Sequence, residues 1–312
     1  MEFGVTQIGD NERSAMQQGI DAEAWGYAIY WAPEFLGIPT MEPFAVLSAA
    51  AQHTRTIKLG TGVAGLALRS PFQLAKAAVT TDILSNGRLV LGLGLGGVVP
   101  KDLEVEGIRN LRDRGRISDE RLEILYRLFT ERNVSHCGDR YKFEDFTLTP
   151  DPVQKPRVPI WIGARWTGRI AEAALRRAGT YADVFIFPAD TPTGYYPHAK
   201  EKVRSYAEAA GRDPDAVGYA GTIWTCLGPS REEATAVANR VIPRMLSVPW
   251  VVPDDACYGL GSPEDCIETA EQFADLGVSH LILAPCCEPE EVTAQIEQFG
   301  REVVPHFKGA DQ

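Results

Sequence analysis

The chain has 312 residues, 45% hydrophobic and 23% charged, enough for one large α/β core or two ordinary ones. Its 31 basic residues face 42 acidic ones, a formal net charge of -11, which argues against nucleic acid or an anionic membrane as partner and leaves small molecules open. No run approaches the roughly 18 apolar residues of a membrane span, and residues 1–6 read as a strand rather than a signal segment, so a soluble cytoplasmic protein is expected. Cys137, Cys226, Cys257, Cys266, Cys286 and Cys287 lack a framework spacing, so free thiols are expected. The adjacent Cys286 and Cys287 read either as a redox pair or as two small buried residues.

In chain order, a strand at 2–6 is followed by a helix around 15–25 and a strand at 27–31. Pro43 opens a second helix, with Phe44, Leu47 and Ala51 on one face, before a strand at 57–63. Ser70-Pro71-Phe72-Gln73 reads as a capping box opening the third helix. Ser85-Asn86-Gly87 then turns the chain into an apolar strand ending in glycines at Gly92, Gly94, Gly96 and Gly97. Gly92-x-Gly94-x-x-Gly97 formally matches a dinucleotide fingerprint, but that motif belongs in a turn opening a helix, usually in a first βαβ unit. A polar segment at 98–110 is expected to be a functional loop or lid. A charged helix and a hairpin at 136–149 around Gly138-Asp139 complete an insertion of about 98–150.

Strands at 159–165, 182–187, 217–227 and 279–284 follow, with helices starting at Ser230-x-x-Glu233 and Ser262-Pro263-Glu264-Asp265 between the last two and a closing helix starting at Pro289. Eight strands alternating with helices match a TIM (β/α)8 barrel, here a single domain over 1–312. Function in that fold concentrates at the C-terminal strand ends, here 6–8, 31–35, 62–66, 94–97, 163–166, 187–189, 226–228 and 285–287. Gly163 to Gly168, with Ala164 and Arg165, suits an anion at a helix entry, or a helix entry with a solvated Arg165. Glu34 past Trp31 is a candidate proton carrier or hydrogen-bond partner for a ring system, or else a surface loop acid. The five histidines fall away from the strand ends, and no metal, P-loop or nucleophile-elbow motif occurs, which leaves an organic cofactor as the source of reactivity.

The segments 54–63 (Thr-Arg-Thr-Ile-Lys-Leu-Gly-Thr-Gly-Val) and 82–94 (Asp-Ile-Leu-Ser-Asn-Gly-Arg-Leu-Val-Leu-Gly-Leu-Gly) resemble the bacterial luciferase-like family of flavin- and deazaflavin-dependent oxidoreductases. Residues 116–128, 152–156, 159–163, 261–265 and 276–283 extend the resemblance over nearly the whole chain. It implies a flavin-type ring lying across the barrel mouth and a non-prolyl cis peptide at Gly62–Val63. Gly62 and Val63 would support the ring, Gly94, Leu95, Gly96 and Gly97 would line its side, and Gly163, Ala164 and Arg165 would hold the cofactor phosphate. Many relatives carry an acid followed by His after strand two. Here Glu34 is followed by Phe35, which leaves Trp31 and Glu34 as the catalytic candidates, and Ala164 stands where a second glycine is common. The expected activity is hydride transfer between coenzyme F420 and a small organic substrate, in a homodimer. The alternatives are a monooxygenase using reduced FMN and oxygen and, from another class, a non-catalytic flavin-binding barrel. Segments 98–110 and 191–196 as lids, with Trp224, Trp250 and Tyr258 either as pocket walls or as core or interface residues, suggest a partly apolar substrate cavity.

Overall fold

The eight expected strands form one parallel sheet: β1 (Glu2–Thr6), β2 (Ile29–Ala32), β3 (Lys58–Thr61), β4 (Leu89–Gly94), β5 (Ile160–Gly163), β6 (Val184–Phe187), β7 (Gly218–Leu227) and β8 (His280–Pro285). Each pairs with its sequence neighbour, and β1 pairs with β8, which closes the barrel. The computed structural model describes residues 1–7, 14–37, 40–96, 100–110, 112–246, 251–253 and 257–308.

Helices α1 (Ala15–Ala24), α2 (Pro43–His53), α3 (Pro71–Leu84), α4 (Asp113–Thr130), α5 (Glu172–Tyr181), α6 (Tyr196–Ala209), α7 (Arg231–Leu246), α8 (Pro263–Asp275) and α9 (Val292–Glu302) surround the sheet. None of the described helices is long and apolar enough to cross a membrane. Sequence punctuation explains several starts. Ser262 and Asp265 form a reciprocal capping box, and the Ser230 hydroxyl accepts from the Glu233 amide at 3.2 Å. Two expectations differ. Ser70 is the N-cap of α3 but its hydroxyl makes no capping bond, and Pro289 lies in a turn, three residues before α9 begins.

Strand alternation divides the core into two layers. Ile29, Trp31, Val90, Trp161, Ile186, Ala220 and Ile282 fill the barrel lumen. Phe3 on the outer face meets Phe299 and Phe307 edge-on, and the Tyr30 hydroxyl donates to the Ala15 carbonyl at 2.6 Å. At the lower rim the Glu2 carboxylate accepts from Lys58 at 3.2 Å and lies 2.8 Å from the His280 Nε2. The His280 hydrogen bond, opposed by partial burial and aided by the Lys58 charge, holds the Glu2 carboxyl at about 2.

The signature Ser85-Asn86-Gly87-Arg88 belongs to that lower face. Asn86 and Gly87 adopt positive φ (55° and 78°) to make the turn, and the Arg88 guanidinium donates to the Ala51, Thr54 and Ile57 carbonyls. Asp82, fully buried, accepts from the Val153 and Gln154 amides and the Gln154 side chain. These motif residues therefore fasten strand bases and do not face the mouth. Within the insertion, strands Val134–Cys137 and Lys142–Phe146 form the expected ribbon. The expected irregular lid contains a helix, Pro100–Val105, whose Leu103 packs with Ala67, Leu68, Ile108 and Ile117.

Candidate active site

After β3 the chain passes through a cis peptide at Gly62–Val63, as the resemblance implies. Ala64 and Gly65 then run parallel to Leu93 and Gly94 of β4. The Thr61 hydroxyl donates to the Gly92 carbonyl at 2.7 Å, and the Leu66 and Ala67 amides donate to the Gly94 and Leu95 carbonyls at 2.9 and 3.1 Å. Val63 lies between two glycines. A Cβ on Gly94 would come within 2.6 Å of its Cγ2, and one on Gly163 within 3.5 Å of its Cγ1. Gly96 takes φ +77°, and a Cβ there would meet the Gly65 Cα at 3.0 Å. Gly62, Val63, Leu95, Gly96, Gly163 and Ala164 are each half-buried, giving a shelf with almost no projecting side chains at the ends of β3, β4 and β5. Cβ atoms added at Gly62, Gly94 and Gly96 would crowd Trp31, Val63 and Gly65, so these strand ends pack closely on one another and leave a backbone floor that suits a flat ring. Gly97 lies outside the described residues.

Trp31 has a different place from the expected one. Its side chain is 0% exposed and fills the lumen beneath the shelf, with its ring 5.2 Å from that of Trp161. Gly4 of β1, Gly60 of β3 and Gly92 of β4 make the room: a Cβ on Gly4 would stand 2.5 Å from the indole Nε1, and one on Gly60 would overlap the ring. Trp31 is thus the plug on which the shelf rests, and it does not reach the mouth. Truncating an aromatic so enclosed costs about 3–5 kcal/mol.

Glu34 is also committed. Its side chain is 4% exposed; Oε2 accepts from the Gly65 amide at 2.6 Å and Oε1 pairs with the Arg69 guanidinium. Arg69 reaches Glu42 at 2.6 Å as well. Burial lowers the Arg69 pKa, but the bonds and charges of Glu34 and Glu42 outweigh it and raise the pKa overall. With both oxygens engaged, Glu34 is a strut beneath the Gly62–Gly65 turn, and the proton-carrier role expected of it does not fit this geometry. Other polar contacts complete the support. Arg121 of α4 donates to the Leu66 and Ala67 carbonyls at 3.1 and 2.8 Å, and Asp102, 2% exposed, accepts from the Leu36 and Gly37 amides at 3.2 and 3.0 Å.

At the other end of the shelf, Gly163 and Ala164 lead into a tight turn closed by a bridge between Trp166 and Ile170, and α5 begins only at Glu172. The expected direct run from Gly163 into a helix is therefore replaced by this turn, and residues 164–171 separate Gly163 from α5. A cationic cluster stands there instead. Arg165 is exposed, and Arg114 of α4 donates to the Gly96 carbonyl at 3.1 Å. Burial and then the charges of Arg165 and Arg177 push the Arg114 pKa below its ordinary value. Arg177 pairs with Asp119 at 2.7 Å, and Arg114 and Arg165 add further positive charge at this end of the shelf.

Across the mouth, segment 191–196 is anchored at both ends: Thr191 and Tyr196 are buried, Tyr196 stacks on Phe187 at 3.8 Å, and Gly194 between them is exposed. Trp224 and the buried Tyr258 both donate to Asp190 Oδ1, at 3.2 and 2.7 Å. Trp250 lies outside the described residues. The strand-end assignment at 187–189 stops one residue short of Asp190, and counting the ends one step further would have found it. Arg69, Asp102 and Arg121 have no such signal, because long-range contacts alone define them.

A closed parallel barrel with a side-chain-poor shelf at its C-terminal mouth and an arginine-rich end is the architecture of enzymes that hold a flat organic cofactor. The luciferase-like monooxygenase family model matches residues 3–280, and the chain belongs to that family of oxidoreductases. It is 24% identical to an F420-dependent glucose-6-phosphate dehydrogenase of Intrasporangium calvum, covering 99% of this chain and 96% of that one. It is 25% identical to a 4-hydroxyprotoasukamycin monooxygenase of Streptomyces nodosus subsp. asukaensis, covering 97% and 90%. Among solved structures, monooxygenase RslO1 from Streptomyces bottropensis superposes with a TM-score of 0.80 at 22% identity, covering 98% and 100%.

Proposed function

We propose that this oxidoreductase uses the deazaflavin coenzyme F420 to oxidise or reduce a small organic substrate. The observation that carries the reading is the glycine-lined shelf around Val63, continuous with the Arg114 and Arg165 cluster, in a chain similar end to end to an F420-dependent dehydrogenase. When bound, the deazaflavin supplies a two-electron hydride carrier. This chain's residues do the rest. Val63 and the backbone of Gly94 and Gly163 back the ring, Trp31 keeps the space below it dry, and the Gly163 and Ala164 amides with Arg165 and Arg114 hold the phosphate. A homodimer in the cytoplasm is part of the same reading, and light scattering on the purified protein tests the dimer.

Reduced FMN with oxygen is the second reading, favoured by the similarity to the monooxygenase. Titrating purified protein with F420 and with FMN separates the two. Tight FMN binding with no measurable F420 binding overturns the first reading. Arg165→Ala should weaken cofactor binding by about 1–3 kcal/mol, as for a lost charged hydrogen bond.

A further inference from the structure

The shelf lies on β3, β4 and β5, so β7 and β8 stand half a barrel away, and the wall where β6 meets β7 faces the space between. On β7, Ala220 belongs to the lumen layer, and strand alternation puts Trp224, four residues on and roughly 13 Å higher, on the same face, where it packs against the larger cluster that includes Tyr258. Its register partner on β8 is Ala284. Asp190 follows the end of β6 and is fixed against this wall. Its Oδ1 accepts from both Trp224 Nε1 and the Tyr258 hydroxyl, while Thr191 pins the turn by donating its amide and its hydroxyl to the Pro188 carbonyl. Both donors are anchored to the sheet, since Tyr258 immediately precedes Gly259, which pairs with Thr225 of β7.

The two carboxylate oxygens therefore differ. Oδ1 is satisfied twice, and no hydrogen bond among the described residues reaches Oδ2. Asp190 is half-buried, beside the half-buried face of Trp224. A rigid carboxylate with one open oxygen next to an indole accepts a hydrogen bond from a neutral donor on an apolar body and repels anions. Glu34, with both oxygens engaged, offers no such acceptor.

We propose that Asp190, oriented by Trp224 and Tyr258, is the specificity-determining acceptor of the substrate site, and that it selects neutral hydroxyl-bearing substrates over carboxylated or phosphorylated ones. The proposal rests on the oxidoreductase reading, and F420 affinity is measured in the same preparations to keep the two apart. Full-length wild type and Asp190→Asn are titrated calorimetrically with cyclohexanol, its methyl ether and cyclohexanecarboxylate. The asparagine carbonyl still accepts from Trp224 and Tyr258, while its amide nitrogen cannot accept from a ligand. The wild type should bind the alcohol at least about tenfold more tightly than the ether and reject the carboxylate. Asp190→Asn should lose about tenfold for the alcohol while ether and F420 affinities hold. Equal alcohol affinity in both proteins, or a wild type that does not prefer the alcohol to the ether, overturns the proposal. A variant that loses unfolding free energy with alcohol affinity intact marks Asp190 as a loop tie and overturns it too. Absence of F420 binding to the wild type counts against the cofactor reading alone.

Discussion

Replacing Glu34 by Gln separates its two conceivable roles. The amide keeps a carbonyl for the Gly65 N–H, now bonded at 2.6 Å, but presents no charge to Arg69. Breaking one side of a buried ion pair costs about 3–5 kcal/mol. Arg69 is 22% exposed and retains Glu42, which reduces the expected loss to about 2–3 kcal/mol. Arg69→Met should cost about 3–4 kcal/mol, since it strands a carboxylate with 4% exposure. If the two residues act as one strut, the double variant falls short of the summed losses by about 2 kcal/mol. Urea unfolding followed by far-UV circular dichroism gives all four corners of the cycle, and F420 titration of the same proteins should show weakened binding because the Gly62–Gly65 turn loosens. A coupling below about 0.5 kcal/mol would refute the strut. So would a Glu34→Gln protein that keeps its stability and cofactor affinity but turns over a hundredfold more slowly, a result that would restore the proton-carrier role.

Gly94→Ala should weaken cofactor binding by about 1–3 kcal/mol with little change in unfolding midpoint, because its Cβ would meet Val63 at 2.6 Å and tilt that side chain into the shelf; unchanged affinity would remove Val63 from the ring's backing. Burial opposes ionisation of Glu23, but the Ile57, Thr56 and Arg55 amides outweigh it and hold its carboxyl at about 2, as His280 does for Glu2. Both folded pKa values lie below the usual carboxylate value, so their stabilisation is full above about pH 5 and is lost as pH falls towards 2. Glu23→Gln should flatten the acid limb of the stability curve in that window, and an identical limb would contradict the assignment. Among the thiols, Cys137 is exposed, while burial pushes Cys226 and Cys257 up to about 11 and Cys266 and Cys287 up to about 12. Mass spectrometry after brief alkylation at pH 8 should find label on Cys137 far ahead of the rest; equally rapid labelling at Cys287 would show that its burial is wrong.

The barrel was legible because local rules and global fold agree along most of the chain. Turn residues at Ser85-Asn86-Gly87, proline and serine at helix starts, and apolar runs such as Leu89–Gly94 each carry their structure in a few neighbouring residues. Boundaries drifted where tertiary contacts decide them, as at Pro289 and in the segment that forms the Pro100–Val105 helix. The shelf glycines were legible for a similar reason, since close backbone approach demands one residue type. Side-chain roles were not. Trp31 and Glu34 stand at the right strand end, but the glycines of β1, β3 and β4 draw the indole downward and Arg69, 35 residues further on, captures the carboxylate. The open acceptor on Asp190 depends on Trp224 and Tyr258, 34 and 68 residues away, and no local pattern encodes that meeting.

The plug under the shelf gives the protein an optical property. Trp31 is shielded from water on every side, beside Trp161 and separated from the shelf surface by little more than the backbone of Gly62 and Gly92. Any chromophore absorbing in the near ultraviolet that settles on the shelf becomes an energy acceptor for that indole. Occupancy can therefore be read without a label, as quenching of tryptophan emission to which Trp31 and its neighbour Trp161 both contribute, and Trp31→Phe should remove part of that signal while leaving the ligand's own absorbance unchanged.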